Sequence, residues 1–214
     1  MKISDVRTVI VGNPWKNWIF VVVETDDGLI GVGEATGGSE TQPRVAAIQE
    51  IKHLVTGMDP RNVHEIFHKL YLTAFLKVTP AMAGIEMACW DIVGKALDQP
   101  IYNLLGGRLH DKLTAYSYMS HEGIWENPEL AGERALERLE KGHKVVKLDP
   151  FQAMLPAPRP LFLKEIEKAV TIFRAIRNEV GNDLEIAIGT HGQLTTAAAI
   201  RAAHALEEFS PFWF

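Results

Sequence analysis

The stretch Lys144-Val145-Val146-Lys147-Leu148-Asp149-Pro150-Phe151 decides the fold. Val145 and Val146 are apolar and β-branched, as a buried strand requires. Lys147 and Asp149 lie two residues apart, so on a strand both side chains point to one face. They stand at the strand's C-terminal end, just before Pro150. A pair of opposite charges there reads either as a solvated ion pair at a surface strand end or as the mouth of a site.

Working outward, the same rhythm recurs on both sides. Leu113 to Ser120 reads as a strand, Pro128 to Lys141 as a helix, and Lys144 to Asp149 as a strand. Leu161 to Val180 is a helix, Leu184 to Gly189 a strand, and Thr195 to Glu208 a helix. Strands alternating with helices at this spacing point to a parallel sheet. A (β/α) barrel needs about eight such strands, and only about three are in view. Phe209-Ser210-Pro211-Phe212-Trp213-Phe214 reads as the start of a further core strand.

The first half follows other rules. Ile3 to Val11, Ile19 to Thr25 and Leu29 to Glu34 read as an antiparallel meander. Asp26-Asp27-Gly28 supplies the turn between the last two, because Asp-Gly tolerates positive φ. Three helical patterns follow: Thr41 to Thr56 closed by Gly57, Asn62 to Leu72, and Pro80 to Leu97 with Met82, Ile85, Ala88, Cys89, Ile92 and Val93 as its apolar stripe. The change of regime places a domain boundary near residue 108, giving 1–108 and 109–214.

Composition narrows the functional classes. Of 214 residues, 47% are hydrophobic and 23% charged, ordinary for a globular protein. The net charge of −5 carries no basic footprint for nucleic acid. No apolar run reaches the roughly 20 residues of a membrane span, and Met1-Lys2-Ile3-Ser4-Asp5 has no signal-peptide core. The one cysteine, Cys89, excludes a disulfide framework and reads as a buried thiol. A cytoplasmic location is expected.

Several residues could carry chemistry. His191 follows Ile186-Ala187-Ile188-Gly189-Thr190 at a strand's C-terminal end. It reads either as a general acid or base, since histidine titrates near neutrality, or as a loop residue bonded to backbone. Trp15, Lys16 and Asn17 interrupt the first hairpin after Gly12-Asn13-Pro14. They read as a lid over a small anionic ligand or as a plain turn with Trp18 packed inward. His64 and His68 are four apart on a helix, but no metal-ligand pattern surrounds them.

Taken together, the chain resembles the enolase superfamily in its mandelate racemase and muconate lactonizing enzyme branch. Four stretches carry the likeness: Val21 to Ala35 with its Thr25-Asp26-Asp27-Gly28 turn; Gly84-Ile85-Glu86-Met87-Ala88-Cys89-Trp90-Asp91-Ile92-Val93-Gly94-Lys95; Pro100-Ile101-Tyr102-Asn103-Leu104-Leu105-Gly106-Gly107; and Val146 to Phe151. The resemblance implies an α+β capping domain followed by a (β/α)7β TIM-like barrel, here an incomplete α/β barrel of about three strands. The loop near Trp15 would be the specificity lid.

The resemblance also implies chemistry. The Lys147 to Phe151 segment, with His191 after the third strand, looks most like the galactonate dehydratase-type acid-sugar dehydratases, which are carbon–oxygen lyases. In that group Mg²⁺ is held by three carboxylates at the ends of the third, fourth and fifth strands. It binds the substrate carboxylate and stabilises the enediolate left by proton abstraction. By the same likeness His191 is the general acid on the departing hydroxyl, and Lys147 and Asp149 bind and polarise the substrate. Asp149 in the second place of a would-be lysine pair argues against a two-lysine racemase.

Two departures stand out. Where the family pattern reads Asp-x-His, with Asp as first metal ligand, this chain reads Gly189-Thr190-His191. The Glu-Glu-Pro segment that follows the Phe-Trp-Phe position in relatives, with the second ligand, is not in the 214 residues. No ligand set for Mg²⁺ is therefore expected in this chain. The expectation is an N-terminal portion of an aldonate dehydratase, inactive alone and active only in a longer parent or with a complementing chain; the expected partner is a second copy in a homo-oligomer or a complementing C-terminal chain. The alternative is a non-catalytic homologue that binds a ligand or partner.

Overall fold

A computed structural model describes residues 1–14, 16–38, 40–73, 79–119, 123–151 and 157–214. Trp15 of the expected lid and His121 lie outside them. The described chain divides into two compact units, Met1–Leu109 and His110–Phe214.

The first unit opens with strands β1 (Ile3–Val11), β2 (Trp18–Thr25) and β3 (Ile30–Glu34), paired antiparallel in the order β1-β2-β3. Gly28 turns the β2–β3 hairpin at φ +90°, and Thr25 N–H donates to Leu29 O at 3.0 Å. Helices α1 (Thr41–Ile51), α2 (Val63–Thr73), α3 (Thr79–Leu97) and the single turn α4 (Ile101–Leu104) follow. Val21 and Val23 from β2 pack with Ile48, Ile66, Leu70, Met82, Ile85, Ala88, Cys89 and Ile92 into one core.

The meander and helix α3 touch backbone to backbone. A Cβ added to Gly33 would fall on the Gly84 carbonyl oxygen, and one added to Gly31 on the Ala88 carbonyl oxygen. The alternation Gly31-Val32-Gly33 is thus a groove cut for α3, with Gly84 as its counterpart on the helix. Asp91 adds a polar tie, its Oδ2 accepting from Val32 N at 2.9 Å and from Lys95 Nζ at 2.7 Å. The first helix is shorter than its apolar spacing implies: it ends at Ile51 and tightens into a 3₁₀ turn over Lys52–Leu54. The Lys52 carbonyl accepts from Val55 N and Thr56 N, both at 3.1 Å, and from the Thr56 hydroxyl at 3.0 Å. Trp18 does not pack inward; it begins β2 and is 39% exposed.

In the second unit, β4 (Tyr116–Tyr118), α5 (Glu129–Glu140), β5 (Val145–Leu148), α6 (Leu163–Val180), β6 (Glu185–Ile188) and α7 (Thr196–Leu206) alternate. The strands form a parallel sheet in the order β4-β5-β6. One register row aligns Tyr118, Lys147 and Ala187. The strand expected from Leu113 to Ser120 is only three residues long. Among the described residues β4 pairs with β5 alone, and Leu113 before it is 84% exposed.

The two faces of this sheet differ. Val146, Leu148, Ile186 and Ile188 point to the helices and are buried with Ala135, Ile172, Phe173, Ile176 and Ala202. The in-between positions, Tyr116, Tyr118, Lys147, Asp149, Ala187 and Gly189, lie on the opposite face. Beyond β6, Trp213 forms a parallel bridge with Ala187, and Ile188 N–H donates to Trp213 O at 3.1 Å. The ring of Trp213 meets that of Tyr116, on the far strand, edge-on at 5.7 Å between centroids. Three flat strand spacings would separate them by roughly 14 Å, so the sheet curls toward this face.

Candidate functional site

The polar residues on that concave face come from all three strands. β4 supplies Tyr116 and Tyr118, β5 supplies Lys147, the residue just after β5 is Asp149, and the turn after β6 supplies His191. This is the C-terminal end of a parallel sheet, where βα folds build their sites. Lys147, Asp149 and His191, each singled out from the sequence, come together here.

Asp149 is the centre of the group. It is 9% exposed. Tyr118 Oη donates to its Oδ2 at 2.5 Å, within the short range of a hydroxyl on an ionised carboxylate. His191 Nδ1 lies 3.1 Å from the same oxygen. Lys147 Nζ stands over the rings of Tyr118 and Tyr116, 5.3 and 5.8 Å from their centroids. Aromatic faces attract an ammonium, so the two tyrosines hold the lysine on the sheet's concave face.

His191 is presented by a tight turn. Its φ is +49° and that of Gly192 +66°, so both central residues of Thr190–Gln193 are left-handed. Non-glycine residues rarely adopt this region, and such strain gathers at functional sites. Gln193 N–H donates to Thr190 O at 3.0 Å and closes the turn. Gln193 is 1% exposed, its side-chain amide donating to Phe151 O at 3.2 Å. Its carbonyl accepts from Arg159 N at 2.7 Å, and Thr195 N donates back to Arg159 O at 3.0 Å. The histidine turn is therefore pinned to the chain that follows β5. The Thr195 hydroxyl then caps α7 by accepting from Ala198 N at 3.3 Å.

Gly189 lies beside Asp149 across the strands, with Gly189 N–H donating to Leu148 O at 2.9 Å. A Cβ added to Gly189 would fall on Asp149 Oδ1 and come within 2.8 Å of Lys147 Cε. The space of a side chain at 189 is filled by the Asp149 carboxylate.

This arrangement does not fit the magnesium centre implied by the resemblance. Gly189 offers no donor where a hard cation needs oxygen, and the Asp149 carboxylate beside it is engaged by Tyr118 and His191. Among the described residues no group of three His, Cys, Asp or Glu side chains gathers to hold a metal.

Of the expected lid, Lys16 N–H donates to Asn13 Oδ1 at 3.1 Å, and Asn17 Nδ2 donates to Thr41 Oγ1 at 3.1 Å. Both lie in the first unit, and the sheet site in the second. Tyr118 and Gln193 were not singled out from the sequence. Tyr118 stands in phase with Lys147 on the neighbouring strand, a signal visible only once the register is known. Gln193 left no signal beyond being a polar residue in a loop.

The mandelate racemase / muconate lactonizing enzyme N-terminal domain model matches residues 6–106, and an enolase C-terminal domain-like model matches residues 131–214. The chain belongs to the enolase superfamily, in its mandelate racemase and muconate lactonizing enzyme branch. The enolase-superfamily chain is 33% identical, over 94% of its length, to a D-gluconate/D-galactonate dehydratase of Picrophilus torridus. It is 31% identical over its whole length to a D-galactonate dehydratase of Pectobacterium atrosepticum. It covers 52% and 54% of these two proteins, so it spans about half the length of the curated relatives it matches. In structure it is similar to a mandelate racemase/muconate lactonizing enzyme from Sulfitobacter sp., with a TM-score of 0.90 and 33% identity, covering 100% of this chain and 59% of that one. These likenesses establish an enolase-type fold with an N-terminal capping domain and a partial, barrel-like parallel sheet. Among the described residues, no helix of this superfamily member is long and apolar enough to cross a membrane.

Proposed function

We propose that this chain is the portion of an acid-sugar dehydratase that carries the general acid and the groups at the substrate's polar end. One observation carries the reading: His191, Lys147 and Asp149 meet at the C-terminal end of one parallel sheet. The substrate class is an aldonate of the galactonate or gluconate type, taken from the relatives' names. Lys147 supplies a positive charge for a substrate oxygen. His191 donates a proton to the hydroxyl that leaves as water. With Nδ1 turned to Asp149, Nε2 is the nitrogen that exchanges this proton.

The resemblance implies a magnesium ion that would supply charge stabilisation for proton abstraction beside a carboxylate, and the described residues do not provide its ligands. The 214 residues alone are therefore inactive, and turnover requires a longer parent protein or a complementing chain that supplies the ligands. Residues 1–108 act as the cap, with Trp15, Lys16 and Asn17 as the lid, and the protein works in the cytoplasm. Incubating the pure 214-residue protein with a panel of aldonates and Mg²⁺ should yield no dehydration product above background. Calorimetry should show aldonate binding that Lys147→Ala removes. Absence of binding across the panel would sink the reading.

A second reading is favoured by Gly189: a non-catalytic homologue that binds an acidic ligand. It is separated from the first by fusing the C-terminal half of the Pectobacterium atrosepticum relative to this chain. His191-dependent dehydration by the fusion, with or without Gly189→Asp, belongs to the dehydratase reading. Binding without turnover in both fusions belongs to the other.

A further inference from the structure

We infer that Gly189 is the seat of the Asp149 carboxylate, and that Tyr118 is a positioning residue acting through Asp149 on His191. The inference rests on the reading of His191 as the proton donor, and it names what holds that donor in place. Three observations support it. The position a Cβ would take at residue 189 is held by Asp149 Oδ1, so any side chain at 189 displaces the carboxylate from its present place. The other oxygen, Oδ2, takes the Tyr118 hydroxyl at 2.5 Å and faces His191 Nδ1 at 3.1 Å. His191 itself stands on a left-handed turn pinned through the buried Gln193.

Each part has a distinct task. The turn fixes where the ring begins. Asp149 fixes which nitrogen faces inward, because the partner of one ring nitrogen sets the tautomer of the other. Tyr118 pins the carboxylate from the neighbouring strand. Gly189 leaves the room in which this is done. The glycine is then a matched part of a Tyr118–Asp149–His191 chain, and not only the loss of a metal ligand.

The test is the tautomer of His191, read from the ¹⁵N shifts of its ring in the full 214-residue protein. His191→Gln assigns the signals among the 8 histidines. In the unaltered chain the neutral ring should carry its proton on Nδ1, toward Asp149. Tyr118→Phe, Asp149→Asn and Gly189→Ala should each shift the population toward the Nε2–H form, with the backbone amide spectrum outside the site unchanged. Gly189→Ala is the decisive variant, since it alters neither hydrogen-bonding partner. Its ring shifts staying as in the parent, in a folded protein, would overturn the inference. So would a parent ring already in the Nε2–H form. No turnover is needed for this readout. Loss of aldonate binding with the tautomer result intact would therefore remove the dehydratase reading and leave the positioning chain standing.

Discussion

Glycines on the two sheets make opposite bargains with their surroundings. In the meander, Gly31 and Gly33 are small because the backbone of α3 lies against them. In the parallel sheet, Gly189 is small and a side chain, Asp149, lies against it. A helix backbone cannot step aside without unpacking its core. A carboxylate can rotate. The first kind of glycine holds a fold together, and the second shapes a site.

The largest expected effect is at Gly33. Gly33→Val drives a branched side chain into the Gly84 carbonyl. It should cost more than about 4 kcal/mol, among the exceptional losses for one substitution, and leave Met1–Leu109 without a cooperative urea transition. A transition midpoint near that of the parent would break the comparison. Next is Phe173→Ala, in the core beneath the parallel sheet, with Phe173 0% exposed. It should destabilise by about 3–5 kcal/mol, showing that the second unit owes its stability to its helix face. Gly189→Ala should cost less than either, about 1–3 kcal/mol by the same denaturation measurement, since the displaced group is a rotatable side chain that gives up its hydrogen bonds but leaves the backbone in place. A loss as large as that at Gly33 would erase the distinction drawn here.

Two smaller effects sharpen the picture of the first unit. The Arg61 guanidinium holds the Asp59 carboxyl at a pKa of about 2, below its ordinary 3.8. The folded value is depressed, so the stabilisation is present above the ordinary value and lost as pH falls toward 2. The pair is partly exposed, so Asp59→Asn should cost at most about 1 kcal/mol at pH 7 and nothing measurable near pH 2. Burial pushes the Cys89 thiol up to about 12. The native protein should react with a disulfide reagent at pH 8 only as fast as it unfolds. Rapid labelling would show that α3 opens from the meander.

Much of the fold was legible because it rests on local patterns. The Asp27-Gly28 turn, the apolar stripe of α3 and the strand–helix alternation after residue 108 each follow from a short repeat. The end of α1 was not legible, since the apolar spacing runs on to Val55 while the backbone tightens into a 3₁₀ turn over Lys52–Leu54. Nor was the length of β4: Leu113 extends the apolar pattern in sequence, yet it is 84% exposed and lies before the strand. For the site, Lys147, Asp149 and His191 announced themselves by charge at strand ends. Tyr118 did not, because its partner Asp149 is 31 residues away and the register alone brings them together. The sense of Gly189 was half visible: the missing carboxylate shows in sequence, but the neighbour that fills its space does not.

The contact between Tyr116 and Trp213 has an optical consequence. Tyrosine emission overlaps indole absorption, and an edge-on approach at 5.7 Å makes Trp213 the acceptor for light absorbed at Tyr116. The concave sheet thus carries a built-in gauge of its own bend: flattening it would brighten the tyrosine and dim the tryptophan.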